Sequence, residues 1–76
     1  MTVEERSSDI GRIDAPYGRE IVLQDILHES GMRMLRIRIR EGRRFTIFDI
    51  DAPSAEAFAD IMTKWARGEF PVESST

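Results

Sequence analysis

The sequence predicts an α+β domain: a three-stranded antiparallel β-meander with one C-terminal helix packed on one face, in the order β-β-β-α and dimeric as a whole. Three observations predict it. From Leu35 to Arg40 apolar residues and arginines alternate one for one, which is the period of a half-buried strand. Two breaks that end in glycine, Glu29-Ser30-Gly31 and Arg40-Glu41-Gly42, cut the middle of the chain into hairpin-sized pieces. Phe58, Ile61, Met62 and Trp65 then recur at i, i+3, i+4, i+7, an apolar stripe along one helix.

Residues 1–18 are polar at first, with Glu4, Glu5, Ser7, Ser8 and Asp9, and close on the turn-like Pro16-Tyr17-Gly18. They are expected to be a mobile segment and a lead-in turn. Residues 19–72 form the single α+β domain, and residues 73–76 fray. Within the domain, residues 19–28 are the first strand, rich in Ile, Val and Leu; residues 33–39 are the second and residues 43–50 the third.

A three-residue hairpin loop takes glycine at its third position, where the backbone is left-handed. Applied to both breaks, that rule sets a register. In the first hairpin Leu27 faces Arg33, Asp25 faces Leu35, Leu23 faces Ile37 and Ile21 faces Ile39. In the second, Ile37 faces Phe45, Leu35 faces Ile47 and Arg33 faces Asp49. Ile21, Leu23, Leu27, Leu35, Ile37, Ile39, Phe45 and Ile47 then share one side of the sheet, with Asp25 the polar exception, diagonal to Arg33 and placed to pair with it.

Asp51 or Ser54 caps the helix, Glu56 in its first turn and Lys64 and Arg67 in its last suit the helix dipole, and Gly68 stops it. Phe70, Pro71 and Val72 are expected to fold back. The stripe ending in Trp65 reads as the core, so that Trp65→Ala is expected to unfold the domain.

A chain of 76 residues is one domain whose core is marginal unless something supplements it. It has no cysteine and one histidine, so disulfides and thiolate metal sites are excluded and a histidine-rich metal site is disfavoured. Self-association is the remaining aid. No apolar run reaches the length of a membrane span, and the N-terminus lacks the apolar core of a signal peptide, so the expected location is cytoplasmic.

Charge is distributed unevenly. Residues 33–44 hold six arginines against Glu41, a net +5 in a chain of net −3, so the remainder carries −8. The same register assigns the second face of the sheet. One end of it is apolar, with Ile26, Met32, Met34, Phe48 and Ile50, and these are the candidate interface. The other end is basic, with Arg36, Arg38, Arg40 and Arg44, and these are the candidate anion-binding residues. One helix cannot cover both sides of a sheet, so a homodimer through the apolar end or an edge strand is expected. Exchange of the helix or an outer strand between subunits, across a short linker such as Asp51-Ala52-Pro53, is a variant of it, and the plainer alternative is that the N-terminal segment, with Ile10, Ile13 and Tyr17, covers the patch. The plainer reading of the arginines is a solvated strand face paired with acids across strands.

No other constellation rises to a site. His28 stands alone, beside Glu29 and Asp25. Asp49 and Asp51 are explained by an ion pair and a helix cap. Ser7, Ser8 and Ser30 have no histidine arrangement beside them, so no catalytic residue, cofactor or metal ligand is assigned.

The segment Glu20-Ile-Val-Leu-Gln-Asp25, then Glu29-Ser-Gly-Met32 and Leu35-Arg-Ile-Arg-Ile-Arg-Glu-Gly-Arg-Arg-Phe-Thr46, resembles a set of small uncharacterised proteobacterial proteins labelled as a domain of unknown function. They share a Leu-Arg-x-Arg-Ile-Arg-Glu-Gly-x-Arg-Phe-like centre, an acidic step like Asp49-Ile-Asp51 and a tryptophan-bearing helix. The resemblance spans roughly residues 20–66. It implies a small bacterial cytoplasmic protein and brings no activity with it. The sequence therefore points to a small homo-oligomeric protein-binding or regulatory module, not an enzyme. A weak nucleic-acid or phosphate binder through the arginine face is the alternative, with no membrane contact in either case.

Overall fold

A computed structural model describes residues 5–70. Strand β1 is Arg6–Ala15, β2 is Arg19–Leu27, β3 is Arg33–Glu41, β4 is Arg44–Ile50, and the single helix α1 is Ala52–Ala66. The strands form one antiparallel sheet in sequence order, β1-β2-β3-β4. The α+β class, the meander and the C-terminal helix match the sequence reading. The strand count does not: there are four strands, not three.

The additional strand is β1, built from residues that the sequence marks as mobile. It is an edge strand with little apolar pattern, and a bulge breaks what alternation there is. Asp9 pairs with Gln24 and Gly11 with Leu23, so Ile10 is the extra residue. Main-chain pairing to β2 and a row of polar cross-strand contacts hold it, and periodicity reports neither. The expectations for residues 71–76, including the fraying tail, lie outside the described residues.

The β2–β3 register is the predicted one throughout, from Leu27↔Arg33 to Arg19↔Glu41. Its loop closes through Gly31 N–H donating to the His28 carbonyl at 2.8 Å, with Gly31 left-handed at φ 91°. The displaced Asp25 accepts from Arg33 at 3.1 Å.

The β3–β4 register differs. Ile37 pairs with Phe48 and Leu35 with Ile50, and the strands close at Glu41↔Arg44. The loop is two residues long, Gly42-Arg43, with Gly42 at φ 63° as its first member. Glycine there is the mark of a type II′ turn, whose twist matches that of the strands it joins. Relative to a three-residue loop the partner of Ile37 moves by three positions, an odd number, so every β4 side chain changes sides.

Two faces result. The helix face carries Ile13, Ile21, Leu23, Leu35, Ile37, Ile39, Phe48 and Ile50. The open face carries Val22, Gln24, Ile26, Met34, Arg36, Arg38 and Arg40, with Phe45, Ile47 and Asp49 opposite the arginines. Among the described residues only Ile37 on the first face, and Val22 and Ile26 on the second, are buried apolar side chains.

Asp51 caps α1 by accepting from Ser54 N–H at 3.0 Å, and Pro53 stands in the first turn, where no N–H is required. The helix ends in a Schellman motif: Gly68 N–H donates to the Trp65 carbonyl and Glu69 N–H to that of Lys64. Gly68 is left-handed at φ 74°. The stripe does not form a core. The helix buries no residue, and Trp65 is 73% exposed. The helix rests mainly on β3 and leaves its apolar side largely uncovered. The expectation that Trp65 anchors the fold is therefore corrected.

Candidate functional site

The open face is a grid of charge pairs lying over short apolar stretches. Across the strands run the rows Asp14–Glu20–Arg40–Phe45, Arg12–Val22–Arg38–Ile47 and Asp9–Gln24–Arg36–Asp49. Every strand contributes, since alternation puts one side chain in two on this side. Arg36 holds Asp49 with two hydrogen bonds, 2.8 and 3.1 Å, and reaches Glu5 at 3.0 Å. Arg40 Nε stands 3.4 Å from Glu20, which also takes Arg12 at 2.7 Å. Gln24 donates to Asp9 at 2.7 Å. The Arg38 guanidinium stands 5.7 Å from the Phe45 ring centroid. Val22 is buried between Arg12 and Arg38, whose aliphatic stems are long enough to cover it.

This pairing shifts the titration of both members of the central contact. The Arg36 hydrogen bonds hold the Asp49 carboxyl below the usual carboxylate range, with smaller help from the charges of Arg36 and His28. Asp49 in return raises Arg36. Glu41, on the other face, is lowered by its contact with Arg19.

Of the four candidate anion-binding arginines, three share the open face: Arg36, Arg38 and Arg40. Arg44 does not join them. It pairs with Glu41 on the helix face, at the end of the sheet. Two of the three that remain together already meet carboxylates, so the face is close to neutral as built.

The candidate interface residues are also divided. Ile26 is fully buried on the open face between Ser7 and Met34, and Met34 is half-buried beside it. Met32 is exposed just before β3, where its carbonyl accepts from His28 N–H. Phe48 and Ile50 lie on the helix face, carried there by the β4 register. The half-buried His28 flanks the β2–β3 turn.

The surface that does come together is on the helix side. Between α1 and the sheet lies a cleft of about 240 Å³ with almost wholly apolar walls, among them Ile13, Ile21, Ile39, Phe48, Phe58 and Met62. Ile13 and Ile10 on β1, together with Ile61, Met62 and Trp65 on the helix, keep about half or more of their surface in water. Ile61, Met62, Trp65, Ala66 and Phe70 form a second apolar concavity with no strand residue in its wall. Exposed apolar side chains gathered on one side in this way often mark an interaction site. Sequence reading placed these helix residues on one stripe but assumed that the sheet consumed them. Ile10 and Ile13 lie in a segment with no strand period, so the sequence gives them no face.

The family model that matches the chain is a family of unknown function, DUF6967, over residues 4–68. The chain belongs to this family. The match begins just before β1 and ends at the glycine that stops α1, so β1 is as much a part of the family's domain as the alternating centre is. No curated protein and no solved structure matches the chain. Membership of DUF6967 assigns no activity. No helix among the described residues is long and apolar enough to cross a membrane.

Proposed function

We propose that this DUF6967 chain is a small homo-oligomeric protein-binding or regulatory module, and that its working form is a homodimer rather than an enzyme. The observation that carries the reading is the uncovered apolar surface on the helix side: the cleft, the β1 isoleucines beside it and the C-terminal half of α1. The chain presents 6530 Å² to solvent, where a compact monomer of 8.7 kDa presents about 4,700 Å². Allotting full extended-chain exposure to the residues outside the described span still leaves an excess of about 700 Å². That is close to the roughly 800 Å² per partner of a standard interface.

The interface we assign is thus not the open-face patch of Ile26, Met32, Met34, Phe48 and Ile50, but the helix side, to which Phe48 and Ile50 belong. The alternative, an anion binder through Arg36, Arg38 and Arg40, is weaker because Asp49, Glu5 and Glu20 already meet two of those guanidinium groups. The bacterial cytoplasm is the setting we read for it, on the resemblance of roughly residues 20–66 to small proteobacterial proteins.

Sedimentation equilibrium of the pure chain tests the reading. A mass of two chains at micromolar concentration supports it; a single-chain mass up to high micromolar concentration removes it.

A further inference from the structure

The molecule has two shortages of the same chemical kind. The sheet shows more apolar surface than its own helix covers: the cleft stays open over Ile21 and Ile39, and Ile13 at its rim remains 53% exposed. The helix shows more apolar surface than its own sheet covers: Ile61 and Trp65 stand beyond the strands, in a concavity made only of helix and the turn that follows it. In one chain these two surfaces adjoin at Met62 but do not cover each other. Both consist of aliphatic and aromatic groups, and neither carries an unpaired charge that would select a polar partner.

We propose, resting on the homodimer reading above, that the occupant of the cleft is a second copy of this chain. The C-terminal half of its α1, with Ile61 and Trp65, lies over Ile13, Ile21 and Ile39, and it receives the same element in return. A two-fold axis makes the exchange self-complementary, so one contact surface repeats and both shortages are met together. A partner of a different sequence would have to supply an apolar ridge and an apolar groove at once, whereas a second copy holds both already. The excess area per chain is of the size that a standard dimer interface buries. The β1 strand gains a purpose as well. It carries Ile13 into the wall of the cleft, and its bulge places Ile10 on the same side, beside the start of α1.

Trp65 is the sole tryptophan, so its fluorescence reports this contact directly. In the dimer, its emission shifts to the blue and iodide quenches it several-fold less than in chain diluted to monomer. The chain has no cysteine, so single cysteines placed at the exposed Ile13 and Ile61 add a positional test. When the I13C and I61C proteins are mixed, a short bismaleimide joins them into a mixed covalent dimer in preference to either self-linked product. W65A weakens dimerisation by about 30-fold or more, as loss of a buried aromatic anchor does.

A dimeric mass with Trp65 still quenched as in the monomer, and no mixed product, overturns the helix exchange and the helix-side interface, and leaves only the dimeric state standing, with another contact such as the β4 edge. A chain that stays monomeric at every concentration overturns both.

Discussion

Arg36 and Asp49 lie directly opposite each other on β3 and β4 and are joined by two hydrogen bonds, Nε to Oδ1 at 2.8 Å and Nη2 to Oδ2 at 3.1 Å. The contact exists only in the register set by the two-residue Gly42-Arg43 loop. With a three-residue loop Asp49 would face Arg33, on the other side of the sheet. The pair and the turn therefore specify one alignment between them. A double-mutant cycle over R36Q and D49N should give a coupling of about 1 kcal/mol, the upper end for a partly exposed pair. A coupling indistinguishable from zero in urea unfolding would mean that the turn alone sets the alignment.

Gly42 is the other half of that specification. At φ 63° an added Cβ meets no neighbouring atom, so the cost of G42A is conformational rather than steric crowding from elsewhere. The expected loss is about 1 kcal/mol. Chemical denaturation checks it, and a neutral or stabilising result would exclude a left-handed residue at this position in solution.

Acid should loosen the fold earlier than it loosens a sheet without such pairs. Asp49, Glu41 and Asp51 are all held below their ordinary values, by Arg36, by Arg19 and by the hydrogen bonds from Ser54 respectively. A carboxyl whose folded value is depressed contributes stability above its unfolded value, near 4, and that contribution fades as pH falls through the lower, folded value. Stability should thus be flat in this respect from neutral pH to about 5 and decline below about 4. In D49N the decline should be shallower, because one of the linked protons is gone. Denaturant midpoints measured from pH 7 to pH 2 test the slope, and an unchanged slope in D49N would deny the linkage.

Ile26 and Trp65 should exchange the roles that their sizes suggest. Ile26 is fully buried, whereas Trp65 stands mostly in water in the isolated chain. I26A should cost about 2–5 kcal/mol, a large part of what a domain this small possesses. W65A should alter the unfolding of dissociated chain by well under 1 kcal/mol, as surface substitutions do. Circular dichroism melts of dilute protein separate the two. A collapse of W65A at concentrations where the parent chain is monomeric would restore the helix stripe as an internal core.

The chain's own letters determined its local structure. Alternation from Leu35 to Arg40 made β3, Glu29-Ser30-Gly31 set the whole β2–β3 register, Asp51 opened the helix and Gly68 closed it. These are short-range effects, decided by side-chain period, backbone conformation and hydrogen bonds a few residues apart. Tertiary structure decided three things. Residues 6–15 became a strand because β2 offered them an edge, although they have no period of their own. Gly42 began a two-residue loop rather than ending a three-residue one, because that choice puts Phe48 and Ile50 on the apolar side and Asp49 against Arg36. The Trp65 stripe, a core by spacing, stayed in water because burial requires an opposing surface within reach, and one thin sheet under a single helix does not provide enough of it.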